Sequence, residues 1–228
     1  MTGDSMIRDQ KMGLEDGTRR RGKPMSRGFV SAVTLALAVM AVVGLAACAS
    51  APPVPEDMFY RLQAVPARAA FAQPVFKGVL EVERFSADGL TAGRPIVYSD
   101  RDNPNQLREY HYHFWTQSPT IMLRDELVNY LRALKVADRV VTPEVRALPN
   151  HVLTARIKRL ERVIGKPAAT LLEVEIAVRA EATDKLEFLE TYRAETAPRG
   201  TGMIDVVEAL NEGLSIIFAD FIAGLEKR

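Results

Sequence analysis

The sequence predicts an α+β domain in which a mixed, largely antiparallel sheet carries two helices packed on one face. Three observations predict it. Period-two alternation recurs between residues 58 and 195. It is clearest where Leu172, Val174, Ile176, Val178 and Ala180 alternate with Glu173, Glu175 and Arg179, the pattern of a strand with one buried face. Two segments, one following Ser118 and one at about 204–225, carry apolar residues at helical spacing. The order is strands, helix, strands, helix, which places both helices on one side of the sheet and turns charged strand faces outward.

The elements follow in chain order. Residues 58–64 alternate and are aromatic, so they read as a first strand. Residues 78–85 set Leu80 and Val82 against Glu81 and Glu83, a second half-buried strand. Asp88-Gly89, Gly93-Arg94-Pro95 and Asp102-Asn103-Pro104-Asn105 mark turns on either side of a short strand at 96–98. Strict alternation over 107–115 puts Tyr110, Tyr112 and Phe114 on one face, and Glu109, His111, His113 and Trp115 on the other. A helix then starts, with Ser118 as N-cap and Pro119 at the first helical position. Leu123, Leu127, Tyr130, Leu131 and Leu134 form its stripe. Short strands follow at 140–142 and 152–160, the second with Leu153, Ala155 and Ile157 inward. Gly165-Lys166-Pro167 turns the chain into the strand at 172–180, and Thr183-Asp184-Lys185 joins it to its hairpin partner at 187–195, with Phe188, Tyr192 and Ala194 inward. The closing helix buries Val206, Leu210, Leu214, Ile217, Phe221 and Leu225, and its Gly213 marks a close approach.

The first 47 residues are not part of this domain. Arg19, Arg20, Arg21, Lys23 and Arg27 precede an apolar run at 29–43, and small residues follow. This is the tripartite pattern of a secretory signal. Its apolar core of about 15 residues is shorter than a bilayer-spanning helix needs. The signal could begin at Met1, Met6, Met12 or Met25, and the polar, Gly-rich residues 1–24 are expected to be disordered. Leu45-Ala46-Ala47-Cys48 resembles the bacterial lipobox. That resemblance makes Leu45, Ala46 and Ala47 the signal-peptidase recognition residues and Cys48 the lipidation site, its acyl chains anchoring the chain in a membrane. Cys48 is the only cysteine, so an intrachain disulfide is impossible. Three prolines between 49 and 57 make a tether of about 30 Å at most. The expected organisation is a signal over 1–47, a lipidated tether over 48–57 and one domain over 58–228. Ala49, in place of Asp, leans toward the outer membrane by the pattern of Gram-negative lipoproteins.

Composition narrows the function. Of 30 Lys+Arg and 29 Asp+Glu, 7 and 4 lie in the first 47 residues, leaving 23 and 25 and a net charge of −2. No basic face points to nucleic acid. The sequence has no Gly-x-Ser-x-Gly elbow, phosphate loop or His-Glu-x-x-His motif. Gly200-Thr201-Gly202 reads as a loop before a helix. Glu173 and Glu175 have the spacing of an exposed strand face, and no catalytic residue or cofactor is nominated. Glu109, His111 and His113 are the one metal-like set, because alternate strand residues point the same way. The plainer reading of that row is a solvated or partner-facing sheet surface, since His151 is the only other histidine.

Four stretches carry a wider resemblance: Phe59-Tyr60-Arg61-Leu62; Val79-Leu80-Glu81-Val82-Glu83-Arg84-Phe85-Ser86-Ala87-Asp88-Gly89-Leu90; Ile96-Val97-Tyr98-Ser99 with the strand ending at Trp115; and Ser118-Pro119 leading to Met122-Leu123. In these the chain resembles the ABC-type transport auxiliary lipoproteins, the PqiC-like family that accompanies MCE-type lipid-transport systems. The resemblance implies a non-enzymatic, periplasm-facing accessory subunit, with an MCE-domain protein as partner and ATP hydrolysis on another subunit. It leaves the oligomeric state open, a homo-oligomer included, and assigns no partner-binding residues. A scaffold or activator lipoprotein of envelope or cell-wall assembly is the alternative from another class.

Overall fold

The computed structural model describes residues 54–227. Leu45, Ala46, Ala47 and Cys48 lie outside the described residues. The strands are β1 (Met58–Tyr60), β2 (Phe76–Val82), β3 (Ser86–Ala87), β4 (Pro95–Asp100), β5 (Asn103–Trp115), β6 (Ala137–Val141), β7 (His151–Ile164), β8 (Ala169–Ala180) and β9 (Lys185–Thr196). The helices are α1 (Pro119–Ala133) and α2 (Met203–Glu226).

β7 is the spine. On one flank β8 runs antiparallel along it, from His151↔Ala180 to Val163↔Ala169, and β9 continues the hairpin. On its other flank β2, β3 and β4 pair in succession and in parallel, at Leu80↔His151, Ala87↔Ile157 and Asp100↔Ile164. The sheet forks there. β2 leads to β6, while β4 leads to β5 and β1. The fold is therefore the expected α+β mixture. Its longest ladders are antiparallel, and its short strands join in parallel.

Alternation decides what faces inward. Leu153, Ala155, Ile157 and Leu160 of β7 and Leu172, Val174, Ile176 and Val178 of β8 are buried in one core with both helices. The stripe Val206, Leu210, Leu214, Ile217, Phe221 and Leu225 is at most 3% exposed. Each such side chain contributes about 1.5–3 kcal/mol by leaving water. Tyr130 of α1 meets Phe218 of α2 edge-on at 5.3 Å, and Phe221 meets Phe188 of β9 at 5.4 Å. Ser118 precedes α1 in extended conformation with Pro119 at its first turn, as the sequence predicts, but its hydroxyl bonds Thr120 Oγ1 at 3.1 Å instead of capping the backbone.

Several boundaries differ from expectation, and those of β1 and β5 bear on the site. β1 ends at Tyr60, because the chain beyond it pairs with helices, not strands. β5 starts at Asn103, so the turn is tighter than Asp102-Asn103-Pro104-Asn105 suggests, and a register shift between Ser99 and Asp100 accommodates Pro104. Strict alternation in β5 fails. Val97 pairs with Glu109 and Pro95 with Phe114, so two steps along β4 match five along β5. The bulge of residues 110–113 changes the relative facing of the side chains on its two sides, while 113–115 pair regularly with β1.

Candidate functional site

The bulged wing formed by β4, β5 and β1 gathers most of the aromatic and basic side chains singled out in the sequence. Tyr110 and His113, expected on opposite faces, meet edge-on at 5.5 Å. His113 Nδ1 lies 3.0 Å from Tyr60 Oη, and Tyr98 packs on Tyr110 at 4.6 Å. Arg162 Nη1 donates to Tyr110 Oη at 3.0 Å and Nη2 to the Thr201 carbonyl at 3.3 Å. The row runs without a break from β1 to the loop before α2. Burial holds the Tyr60 phenol above its ordinary pKa, so it stays a neutral partner for the imidazole at physiological pH.

The metal-like set does not assemble. His113 is engaged by Tyr60, His111 is exposed beside Tyr112, and Glu109 lies next to Gly93. Among the described residues no three His, Cys, Asp or Glu side chains converge as ligands. The reason is the bulge, which breaks the period that would have aligned them. Trp115 is core at 1% exposed, whereas Tyr112 is 38% exposed.

On the reverse face of the wing, Phe59 packs on Phe114, its parallel neighbour, at 5.8 Å. The Arg94 guanidinium stands 5.3 Å over the Phe59 ring while its Nε donates to the Trp115 carbonyl. Phe59 is 53% exposed; Met58, equally exposed, stands on the other face, where its Sδ accepts from Tyr60 Oη at 3.4 Å.

The chain after β1 forms a strap along the seam of the two helices. The Leu62 amide donates to Met122 Sδ and the Ala64 amide to Glu126 Oε2, both on α1. The Gln63 amide donates to Asn211 Oδ1 and the Val65 amide to Ser215 Oγ, both on α2. Two steps of extended chain advance about 6.8 Å and four of helix about 6 Å, so i, i+2 amides match i, i+4 side chains. Arg68 then pairs with Glu226, and the Phe71 amide reaches the Leu134 carbonyl. Pro66, which cannot donate to a strand ladder, could have marked this stretch as irregular; nothing in the sequence names its helix partners.

Elsewhere the polar groups are structural. A shallow groove of about 600 Å³ lies between β9 and α2, lined by Phe188, Tyr192, Asp220 and Gly224 among others. Burial first, then Glu190 and Asp220, push the Tyr192 phenol up to about 12, so it is no base. Glu161, 3% exposed, accepts from Ser99 Oγ at 3.2 Å and from Arg159. Glu173 pairs with Lys158 at 3.7 Å and Arg193 at 4.0 Å. None of these places a nucleophile beside a base.

Comparison with known proteins agrees with this architecture. Protein XCC0632 from Xanthomonas campestris superposes with a TM-score of 0.61 at 19% identity, covering 72% of this chain and 92% of that one. A second crystal structure, of an uncharacterized protein, gives 0.59 at 17%, covering 75% and 99%. At these identities the likeness is one of fold. A PelC dodecamer from Paraburkholderia phytofirmans matches more loosely, with a TM-score of 0.41 at 10% identity over 66% of this chain and 90% of that one. No curated protein matches the sequence. The model of the ABC-type transport auxiliary lipoprotein component matches residues 60–223, which run from the Tyr60–His113 contact through almost all of α2. The chain belongs to the ABC-type transport auxiliary lipoprotein family.

Proposed function

We propose that this protein is a periplasm-facing lipoprotein, acylated at Cys48, that serves as a non-enzymatic accessory subunit of an MCE-type ABC system moving lipid between membranes. One observation carries the reading: a lipobox-like Leu45-Ala46-Ala47-Cys48 stands a short tether ahead of a domain whose family model spans 60–223. The sole cysteine is the residue that the signal pattern requires, and several acyl chains on it hold a protein at a bilayer far more firmly than one. Ala49 supports the outer membrane. The exposed strand face and the outer faces of the helices are the surfaces open to docking, and the domain's partner is an MCE-domain protein.

The test has two parts. Mass spectrometry of the protein from native membranes is expected to show acylated Cys48 as the first residue, and Cys48→Ala to move the domain from the membrane to the soluble fraction. A bare thiol in an uncut chain would sink the anchoring. Purification in mild detergent is expected to bring down an MCE-domain protein. Its repeated absence, or its replacement by cell-wall synthases, would move the protein to envelope scaffolding.

A further inference from the structure

We propose that the exposed aromatic edge of the bulged wing seats against the lipid headgroups of the membrane that holds the anchor. The inference rests on acylation of Cys48. From Cys48 to Met58 is ten residues, three of them proline, and such a chain advances about 3.1 Å per residue. Met58, where the first strand begins, is therefore held within about 30 Å of the acylated residue, at a high effective concentration of bilayer surface.

What stands at that end of the tether suits an interface. Met58 and Phe59 are 53% exposed and Tyr112 38%, although each lies in a strand whose neighbours supply core. The bulge is what leaves Tyr112 outside; unbroken pairing with β4 would have set the row by alternation. Phe114 backs Phe59, and Arg94 lies across it with Nε tied to Trp115. Among the described residues no carboxylate pairs with Arg94, so its terminal nitrogens are available to a phosphate. Aromatic rings and an arginine on a slender apolar edge are the side chains that partition to the headgroup region. The chain segments that carry the patch are balanced in charge, with Arg61, Arg94 and Arg108 against Glu56, Asp57 and Glu109. Seating is therefore by ring burial, with little dependence on anionic lipid.

The test uses the full acylated protein in phosphatidylethanolamine–phosphatidylglycerol vesicles whose acyl chains are brominated near the headgroup. Phe59→Trp and Tyr112→Trp each place an indole in the patch; the native Trp115, 1% exposed, supplies a constant background. Leu186→Trp is the control. Leu186 is 54% exposed on β9, at the opposite edge of the sheet from β1. The expected result is about twofold quenching at positions 59 and 112, for rings seated at the headgroup–acyl boundary, with none at 186. Co-sedimentation without quenching at 59 and 112 overturns the proposal and leaves the anchor intact. A blue-shifted but unquenched indole does the same, and points to protein as the cover. Equal quenching at 186 also overturns it. Failure to co-sediment sinks the anchoring and this proposal together.

Discussion

Arg124 is 9% exposed, and a guanidinium that deep needs its partners. It donates to Asp125 and to Glu144, each at 2.9 Å. Glu144 answers with a carboxyl held down to about 2 from the ordinary 4.5, by a hydrogen bond from Thr142 first and from Arg124 next. A carboxylate whose folded pKa is depressed lends stability that is complete above the unfolded value and disappears as pH falls through the folded one. The Glu144 contribution is thus present above about pH 4.5 and gone by about pH 2. Glu144→Gln is expected to be less stable than the native protein at pH 6, and the gap is expected to close between pH 4.5 and 2. Urea titrations at several pH values measure it; a gap constant with pH would mean that the pair contributes shape only. The sequence could not disclose such a pairing, since Arg124 and Glu144 belong to different elements. It was no better at Tyr110 and His113, where three extra residues between paired positions broke the alternation and brought the two rings to one face.

At the scale of elements the helices were the most legible part, because a stripe of five or six side chains at 3.6 spacing allows one orientation. The β8–β9 hairpin was legible for the same reason, with period two on both sides of a short turn. What escaped was cross-element matching: the strap between helices, and the parallel short strands along β7. The two glycines in α2 show how packing decides a position that propensity alone treats alike. A methyl on Gly213 would lie 3.5 Å from the Ala194 Cβ and 3.6 Å from Thr196 Oγ1, ordinary contact. On Gly224 it would fall 2.8 Å from the Tyr192 hydroxyl and 3.2 Å from the Phe188 ring. Gly213→Ala is therefore expected to gain up to about 1 kcal/mol of helix propensity, about 2–4 °C in Tm. Gly224→Ala is expected to lower Tm, as the β9 rings are pushed outward against an equal propensity gain. Thermal melts followed by circular dichroism rank the two. A rise with Gly224→Ala would show that the Tyr192 ring swings aside freely.

At the scale of the molecule, the strap joins the end of the chain nearest the proposed anchor to the core. Its amides alternate between α1 and α2, so the helices cannot part without breaking bonds to Leu62, Gln63, Ala64 and Val65. The helices in turn share one core with β7 and β8, and Tyr130 meets Phe218 across the seam. Load on the tether falls first on the three-residue β1 at its pairing with β5, and the strap behind it passes what remains to both helices. This coupling predicts protection in a stretch that has no strand partner beyond Tyr60. The Gln63 and Val65 amides are expected to exchange with solvent deuterium only as slowly as the core of α2, through openings that take the helix pair apart. Asn211→Ala removes one acceptor, worth about 1 kcal/mol, and is expected to speed exchange at Gln63 about fivefold while Val65, held by Ser215, keeps its native rate. Exchange at Gln63 that is already fast in the native protein would show that the strap rides on the helices instead of binding them, and the tether would then be coupled to the domain through β1 alone.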